Sequence, residues 1–211
     1  MNDERATTIQ GNPGRPTGEA GQAMLARMNK SHGDLTNWGL GFFGLPTDAQ
    51  VLDVGCGGGA TLLRLLERYP QGHISGVDHS EVSVASSLET CQAEVASGKI
   101  NVQLASVEAL PFSSGTFDGA CAVESFYFWP NRIESLKEVR RVLKPKGTLL
   151  IIADTYDNGK LDAAAIEAIE QFNLFVPTPE HMERLLTRAG FAEVAVHVLS
   201  DKHWMCAEGR A

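Results

Sequence analysis

The sequence predicts an α/β fold with a doubly wound, mostly parallel sheet and helices on both faces. Two observations predict it. From residue 51 to residue 189, short apolar, β-branched segments alternate with segments of helical periodicity, and strands separated by helices pair in parallel through crossovers. The first strand, Val51-Leu52-Asp53-Val54, runs directly into a glycine turn, Gly55-Cys56-Gly57-Gly58-Gly59-Ala60, at the head of a helix.

Taken in order, residues 1–19 contain Gly11-Asn12-Pro13-Gly14-Arg15-Pro16-Thr17-Gly18. That composition suits neither helix nor strand and predicts a flexible arm, or one ordered only by a partner. Residues 20–48 read as a helical lid or cap. Ala23, Met24, Leu25 and Met28 supply a first helix, while Leu35, Trp38, Leu40, Phe42 and Phe43 give apolar surface to a glycine-loosened stretch ending at Pro46. The main domain is 49–211. A helix at 61–69 follows the first strand, and a second strand at 73–77 ends at Asp78. Ser80 caps a helix to residue 97 with an apolar face of Val82, Val84, Ala85, Leu88, Cys91 and Val95. Strands follow at 101–105 and 117–123, then a helix at 131–143, a Lys144-Pro145-Lys146-Gly147 turn and the most apolar strand at 148–153. A helix at 161–172 comes next, then one capped by Thr178 with Pro179 in its first turn and ending near Ala189-Gly190. Segments 191–199 and 202–207 form a closing strand pair around Ser200-Asp201.

With 211 residues, 43% hydrophobic and 21% charged, the chain is long enough for a domain with a real core and too apolar for wholesale disorder. Its net charge of -8 argues against a nucleic-acid or anionic-membrane partner, because phosphate binding needs a basic footprint. Four cysteines, Cys56, Cys91, Cys121 and Cys206, show no CxxC or CxxxH pairing. No metal site or disulfide framework is expected, and a reducing cytoplasm is the simplest location. No apolar run reaches transmembrane length, and the first residues lack a signal-peptide pattern.

In doubly wound sheets ligands bind outside the carboxyl ends of the strands, where strand order reverses. The Gly55 turn, Asp78, Ser106 and Glu124 all stand just past the first four strands, so one site can collect them. The glycines let backbone approach a ligand, and the following helix presents free N–H groups to it. Alone, this turn also fits the dinucleotide fingerprint, with Asp78 near the distance expected of a ribose partner. Two features point away from that ligand. Asp53, two residues before the first glycine, can receive a cationic or amino-bearing group, and no stretch offers a dehydrogenase's separate catalytic domain.

Four segments together resemble class I S-adenosylmethionine-dependent methyltransferases, of the kind that includes ubiquinone and menaquinone C-methyltransferases. They are Val51 to Gly59; Gly76-Val77-Asp78-His79-Ser80; Glu108-Ala109-Leu110-Pro111-Phe112 with Phe117-Asp118; and Glu138-Val139-Arg140-Arg141-Val142-Leu143-Lys144-Pro145-Lys146-Gly147. The resemblance implies a Rossmann-like sheet of seven strands, the last antiparallel, and S-adenosylmethionine as cofactor with S-adenosylhomocysteine as product. Gly55, Cys56 and Gly57 would line its methionine part and Asp53 would hold its amino group. Asp78 would accept both ribose hydroxyls, His79 would pack on the adenine, and Ser106 and Val107 would meet the adenine edge. Many relatives carry aspartate where Ser106 stands. Glu124 would face the sulfonium.

Methyl transfer from a sulfonium asks the protein chiefly to align the acceptor, so no catalytic base is required unless the acceptor must lose a proton. His32, His181, Glu124 and Tyr156 are candidates by position, and none is assigned. Ser125-Phe126-Tyr127-Phe128-Trp129 after the fourth strand can line an acceptor pocket, with Tyr156 and Asp157 as the opposite wall. His32 and Trp38 are expected in a lid over the cofactor; the alternative is a helix packed on the sheet edge with Trp38 as core. The expected partner is a small-molecule methyl acceptor, with a homodimer left open. A non-catalytic S-adenosylmethionine sensor and a nicotinamide-dependent oxidoreductase are the competing readings.

Overall fold

The structure, a computed structural model, describes residue 8 and residues 10–211. Seven strands form one sheet: β1 (Gln50–Val54), β2 (His73–Asp78), β3 (Ile100–Leu104), β4 (Phe117–Val123), β5 (Leu143–Ala153), β6 (Ala192–Leu199) and β7 (Trp204–Arg210). Their spatial order is β3-β2-β1-β4-β5-β7-β6. β1 to β5 are parallel, and β7 runs antiparallel to both β5 and β6. From Gly18 onward, the α-helices among the described residues are α1 (Gly18–Ser31), α2 (Gly33–Leu40), α3 (Ala60–Arg68), α4 (Glu81–Thr90), α5 (Gln92–Ala96), α6 (Arg132–Val142), α7 (Ala163–Phe172) and α8 (Pro179–Arg188).

Alternation along the strands divides the core between the two faces. Leu52, Val54, Ala120, Leu149 and Ile151 pack with Leu136 and Val139 of α6 and Met182 and Leu186 of α8. Val51, Cys121, Leu150 and Ile152 pack with Leu35 and Leu40 of α2 and Leu62 and Leu65 of α3. Both faces are therefore covered, as expected of a doubly wound sheet. Strand order reverses between β1 and β4, and the functional cavity lies at the carboxyl ends there.

Three local expectations need correction. The Lys144–Gly147 segment is not a turn before the fifth strand. Leu143 pairs with Phe117 and Thr148 with Gly119, so it forms an irregularity inside β5, with Lys146 at a φ of 67°. The helix expected over 80–97 breaks at Cys91 into α4 and α5. Its buried face is also different: Ser83 and Ser87 are fully buried, whereas Leu88 is 38% exposed. The reason is the neighbour, because α4 packs on the backbone of the glycine turn. Small side chains allow that approach, and the Ser87 hydroxyl donates to the Gly57 carbonyl at 2.8 Å.

The third correction concerns the lid. Helix α2 lies on the sheet, and a Cβ on Gly39 would stand 2.6 Å from Ile152 Cδ1. Arg68 of α3 clamps the end of α2 by donating to the Asn37 and Leu40 carbonyls. Trp38 packs edge-on against Phe42 at 5.4 Å and beside Trp204 at 5.9 Å. It is half-buried against the core of that sheet face and is not among the residues lining the cavity. Of the expected flexible arm, residues 1–7 and 9 lie outside the described residues. Residues 13–16 line the cavity, and the Ser80 hydroxyl donates to the Pro16 carbonyl at 2.6 Å.

Candidate functional site

The glycine turn is held before any ligand is considered. Gly55 and Cys56 both donate their N–H to the Val77 carbonyl, at 2.8 and 3.0 Å. This joins the end of β1 to the end of β2. Gly55 has a φ of +83°, and an added Cβ would lie 2.4 Å from Ser125 Cβ. The Ser125 hydroxyl donates to the Val54 carbonyl at 2.6 Å, so the β4 loop is seated on the turn. From the opposite side, the Asn29 amide of α1 donates to the Gly58 carbonyl at 2.9 Å.

These contacts shape a cavity of about 490 Å³. Gly55, Cys56 and Gly57 line it beside Asp78. Toward β3 it is walled by His79, Ser106 and Val107, and toward β4 by Glu124, Phe128 and Trp129. The N-terminal segment adds Leu25, Met28 and His32.

The Asp78 carboxylate is oriented by backbone. Oδ2 accepts from Gly57 N–H at 3.0 Å and Oδ1 from Ser80 N–H at 2.9 Å. Each oxygen keeps acceptor capacity, an arrangement suited to two vicinal hydroxyls. Half-exposed His79 stands beside it, with Nδ1 3.9 Å from Oδ1. Ser106 Oγ accepts from the Glu108 N–H at 3.2 Å, which orients its hydroxyl at the cavity wall.

Asp53 does not line the cavity. It is 1% exposed, its Oδ1 accepts from the Cys121 thiol at 3.5 Å, and its Oδ2 has no hydrogen-bond partner among the described residues. Burial, reinforced by Asp78 and opposed by the Cys121 hydrogen bond, pushes its carboxyl up from 3.8 to about 7. A buried acceptor without a donor is costly, and a cationic group nearby would relieve it. The sign for stability follows from linkage. A carboxyl with a raised folded pKa contributes stability that is fully present below 3.8 and lost as pH rises through about 7. That interval corresponds to roughly 4 kcal/mol. In ligand-free protein, Asp53→Asn is expected to melt close to wild type near pH 4 and several degrees higher at pH 8. Parallel melting curves across that range would show that Asp53 stays ionised.

The thiols are chemically quiet. All four cysteines are free and buried. Burial raises each, Cys91 to about 12, so none is poised as a nucleophile.

The acceptor-side expectations divide. Trp129 lines the cavity, but Phe126, Tyr127 and Tyr156 are buried in the core and are not among its lining residues. Asp157 is not on the wall either; its N–H donates to the Pro177 carbonyl at 3.0 Å. His181 stacks edge-on against Phe175 at 5.4 Å, in a separate depression with Arg132. Tyr127 acts beneath the site: its hydroxyl donates toward Glu124 Oε1 at 3.1 Å and Asp154 Oδ1 at 3.3 Å. Glu124 has a φ of 54° and its Oε1 also accepts from the Asp154 N–H at 2.6 Å.

Sequence reasoning missed Asp154, Asn29 and residues 13–16. Asp154 had a signal, since it follows β5 as Glu124 follows β4. Asn29 and the arm had none, because their contacts with the site are long-range.

The family described as "Methyltransferase domain" matches residues 51–147. An O-methyltransferase of Pyrenophora dematioidea is 36% identical over 152 residues, covering 69% of this chain and 55% of its own length. An O-methyltransferase of Aspergillus nomiae is 30% identical over 165 residues, covering 75% of this chain and 71% of its own length. The chain spans about half the length of most of the first curated relatives it matches. In fold, it is similar to a SAM-dependent methyltransferase from Aquifex aeolicus, with a TM-score of 0.73, 20% identity, and 90% and 97% of the two chains covered. With the strand order, the glycine turn and these relatives in agreement, the chain belongs to the class I S-adenosylmethionine-dependent methyltransferases.

Proposed function

We propose that this protein transfers a methyl group from S-adenosylmethionine to a small-molecule acceptor. The observation that carries this reading is the donor-and-acceptor set around one cavity. Asp78, fixed by two backbone N–H groups, offers two acceptors for the ribose hydroxyls. The Asp53 carboxyl, buried behind the turn and off the cavity wall, would favour the cationic amino-acid end through its charge and not by contact. In this reading Gly55, Cys56 and Gly57 lie along the methionine part, His79, Ser106 and Val107 take the adenine, and Glu124 faces the reacting end.

The cofactor supplies an activated methyl on sulfur, so the chain's own work is alignment and exclusion of water. Pro13 and Pro16 of the N-terminal segment, with Leu25 and Met28 of α1, cover the cavity with apolar surface. Phe128 and Trp129 give the acceptor side an aromatic wall. A net charge of -8 favours a small acceptor over a nucleic acid. No helix among the described residues is long and apolar enough to cross a membrane.

The test compares ligands by thermal shift. At about 100 times its Kd, a ligand selective for the native state adds about 2.7 kcal/mol. For a chain of this size that is roughly 5–10 °C in Tm. S-adenosylhomocysteine is expected to produce this shift and NAD none; the reverse pattern would make the protein a nicotinamide-dependent enzyme. Incubation with labelled S-adenosylmethionine and a metabolite extract then separates turnover from a binding-only role.

A further inference from the structure

We propose that His32 is the proton acceptor of this site, faced by the carboxyl groups of Glu124 and Asp154, and that the methyl acceptor is an ionisable hydroxyl on an aromatic ring. The inference rests on the methyl-transfer reading above. Three segments distant in sequence converge here: His32 between α1 and α2, Glu124 past β4 and Asp154 past β5. One potential ligand atom from each lies within 4.8 Å of the others. The His32 backbone is pinned, because its carbonyl accepts from both the Thr36 N–H at 2.9 Å and the Thr36 hydroxyl at 2.8 Å. Its ring lines the same cavity as Glu124, Phe128 and Trp129.

The charges around His32 suit a base. Burial lowers its basicity, Asp154 raises it, and Arg27 of α1 lowers it. Arg64 of α3 also stands close, its Nη2 packed at Gly33. The resulting imidazole is neutral near pH 7 and can accept a proton. Behind it, burial and the Asp154 charge push the Glu124 carboxyl well up. Acidic groups this close favour an imidazolium formed beside them.

The same three residues could ligate a cation, but the hydrogen bonds favour protons. Glu124 Oε1 already accepts from the Asp154 N–H and Asp154 Oδ1 from the Thr155 hydroxyl, and the one Tyr127 O–H is shared between those two oxygens. In the proposed step, the oxygen–methyl bond forms as the carbon–sulfur bond breaks, and that electron pair stays on sulfur. The hydroxyl proton passes to His32, so the positive charge moves from sulfonium to imidazolium. The aromatic ring of the acceptor is matched to Phe128 and Trp129, which can receive it by stacking or edge contact.

The test uses the full chain and two readouts that need no turnover. Histidine ring signals are followed by NMR from about pH 8 down to the lowest pH at which the protein stays folded, with His32 identified by its loss in His32→Gln. His32 is expected to titrate, and Asp154→Asn to move its midpoint to lower pH. A signal insensitive to pH or to Asp154→Asn overturns the relay. In the second readout, 4-nitrophenol is added with saturating S-adenosylhomocysteine and its ionisation is read by absorbance. The wild type is expected to favour the bound phenolate about tenfold and His32→Gln to abolish that preference. No binding, or the same ionisation in both proteins, overturns the acceptor class. Calorimetry with S-adenosylhomocysteine shows whether each variant is folded, and failure of the wild type to bind it would sink the methyl-transfer reading separately. Mn²⁺ that selectively broadens the His32 signal and raises the Tm would make the cluster a metal site and overturn the proposal.

Discussion

Asp78→Asn is expected to weaken S-adenosylhomocysteine binding about 100-fold in calorimetry, while the ligand-free Tm falls by only a few degrees. The carboxylate faces two backbone donors, Gly57 N–H and Ser80 N–H, one on each oxygen. Two more donors, the ribose hydroxyls, would arrive from the cavity. Asparagine keeps a single acceptor oxygen. Its amide must therefore face either a backbone N–H or a hydroxyl, and at least one hydrogen bond to a charged group is lost. Such a bond contributes about 1.5–3 kcal/mol, and 100-fold corresponds to about 2.7 kcal/mol. The turn survives because Gly55 and Cys56 are anchored separately on the Val77 carbonyl. An affinity within threefold of wild type would remove Asp78 from the ribose site.

Gly55→Ala is expected to destabilise the fold by about 3 kcal/mol or more in urea denaturation, whereas Gly57→Ala costs about 1 kcal/mol. Both glycines have positive φ, +83° and +53°, so both pay the left-handed penalty of an L side chain. Only Gly55 adds a collision. Its new Cβ would lie 2.4 Å from Ser125 Cβ and 2.8 Å from Ser125 Oγ, against a nearest contact of 3.5 Å, to Leu25 Cδ2, at Gly57. Ser125 cannot yield freely, because its hydroxyl is bonded to the Val54 carbonyl. Relief would have to displace the β4 loop that carries Glu124 and Trp129, so cofactor binding falls with stability. Equal costs at the two positions would show that the loop adapts and that the conformational term dominates.

Much of this architecture is legible in the chain because it follows from local rules. The β1 strand, its glycine turn and α3 are contiguous, and Asp78, Ser106 and Glu124 each follow a strand whose end can be read from apolar patterning. Parallel pairing then brings the strand ends together. The errors have a different origin. Helix α4 looked amphipathic through its valines and Leu88, yet it buries Ser83 and Ser87, because its neighbour is backbone that needs close approach and donors. Trp38 looked like a lid residue, yet α2 packs through Gly39 onto Ile152 and leaves Trp38 beside Trp204. Those partners are more than a hundred positions away in the chain, beyond the reach of local periodicity.

The sequence by itself determined the sheet, the position of the glycine turn and the set of residues at the first four strand ends. These depend on hydrophobic period, β-branching and glycine, all of which act between near neighbours in the chain. Only the tertiary structure decided which side chains share the cavity. It placed Asp53 behind the turn rather than on the wall, sent Phe126 and Tyr156 into the core, and laid residues 13–16 across the opening. It also brought His32, Glu124 and Asp154 together from three separate segments. Such meetings are set by how helices and strand ends pack in three dimensions, where burial and neighbouring charge fix the chemistry of each group.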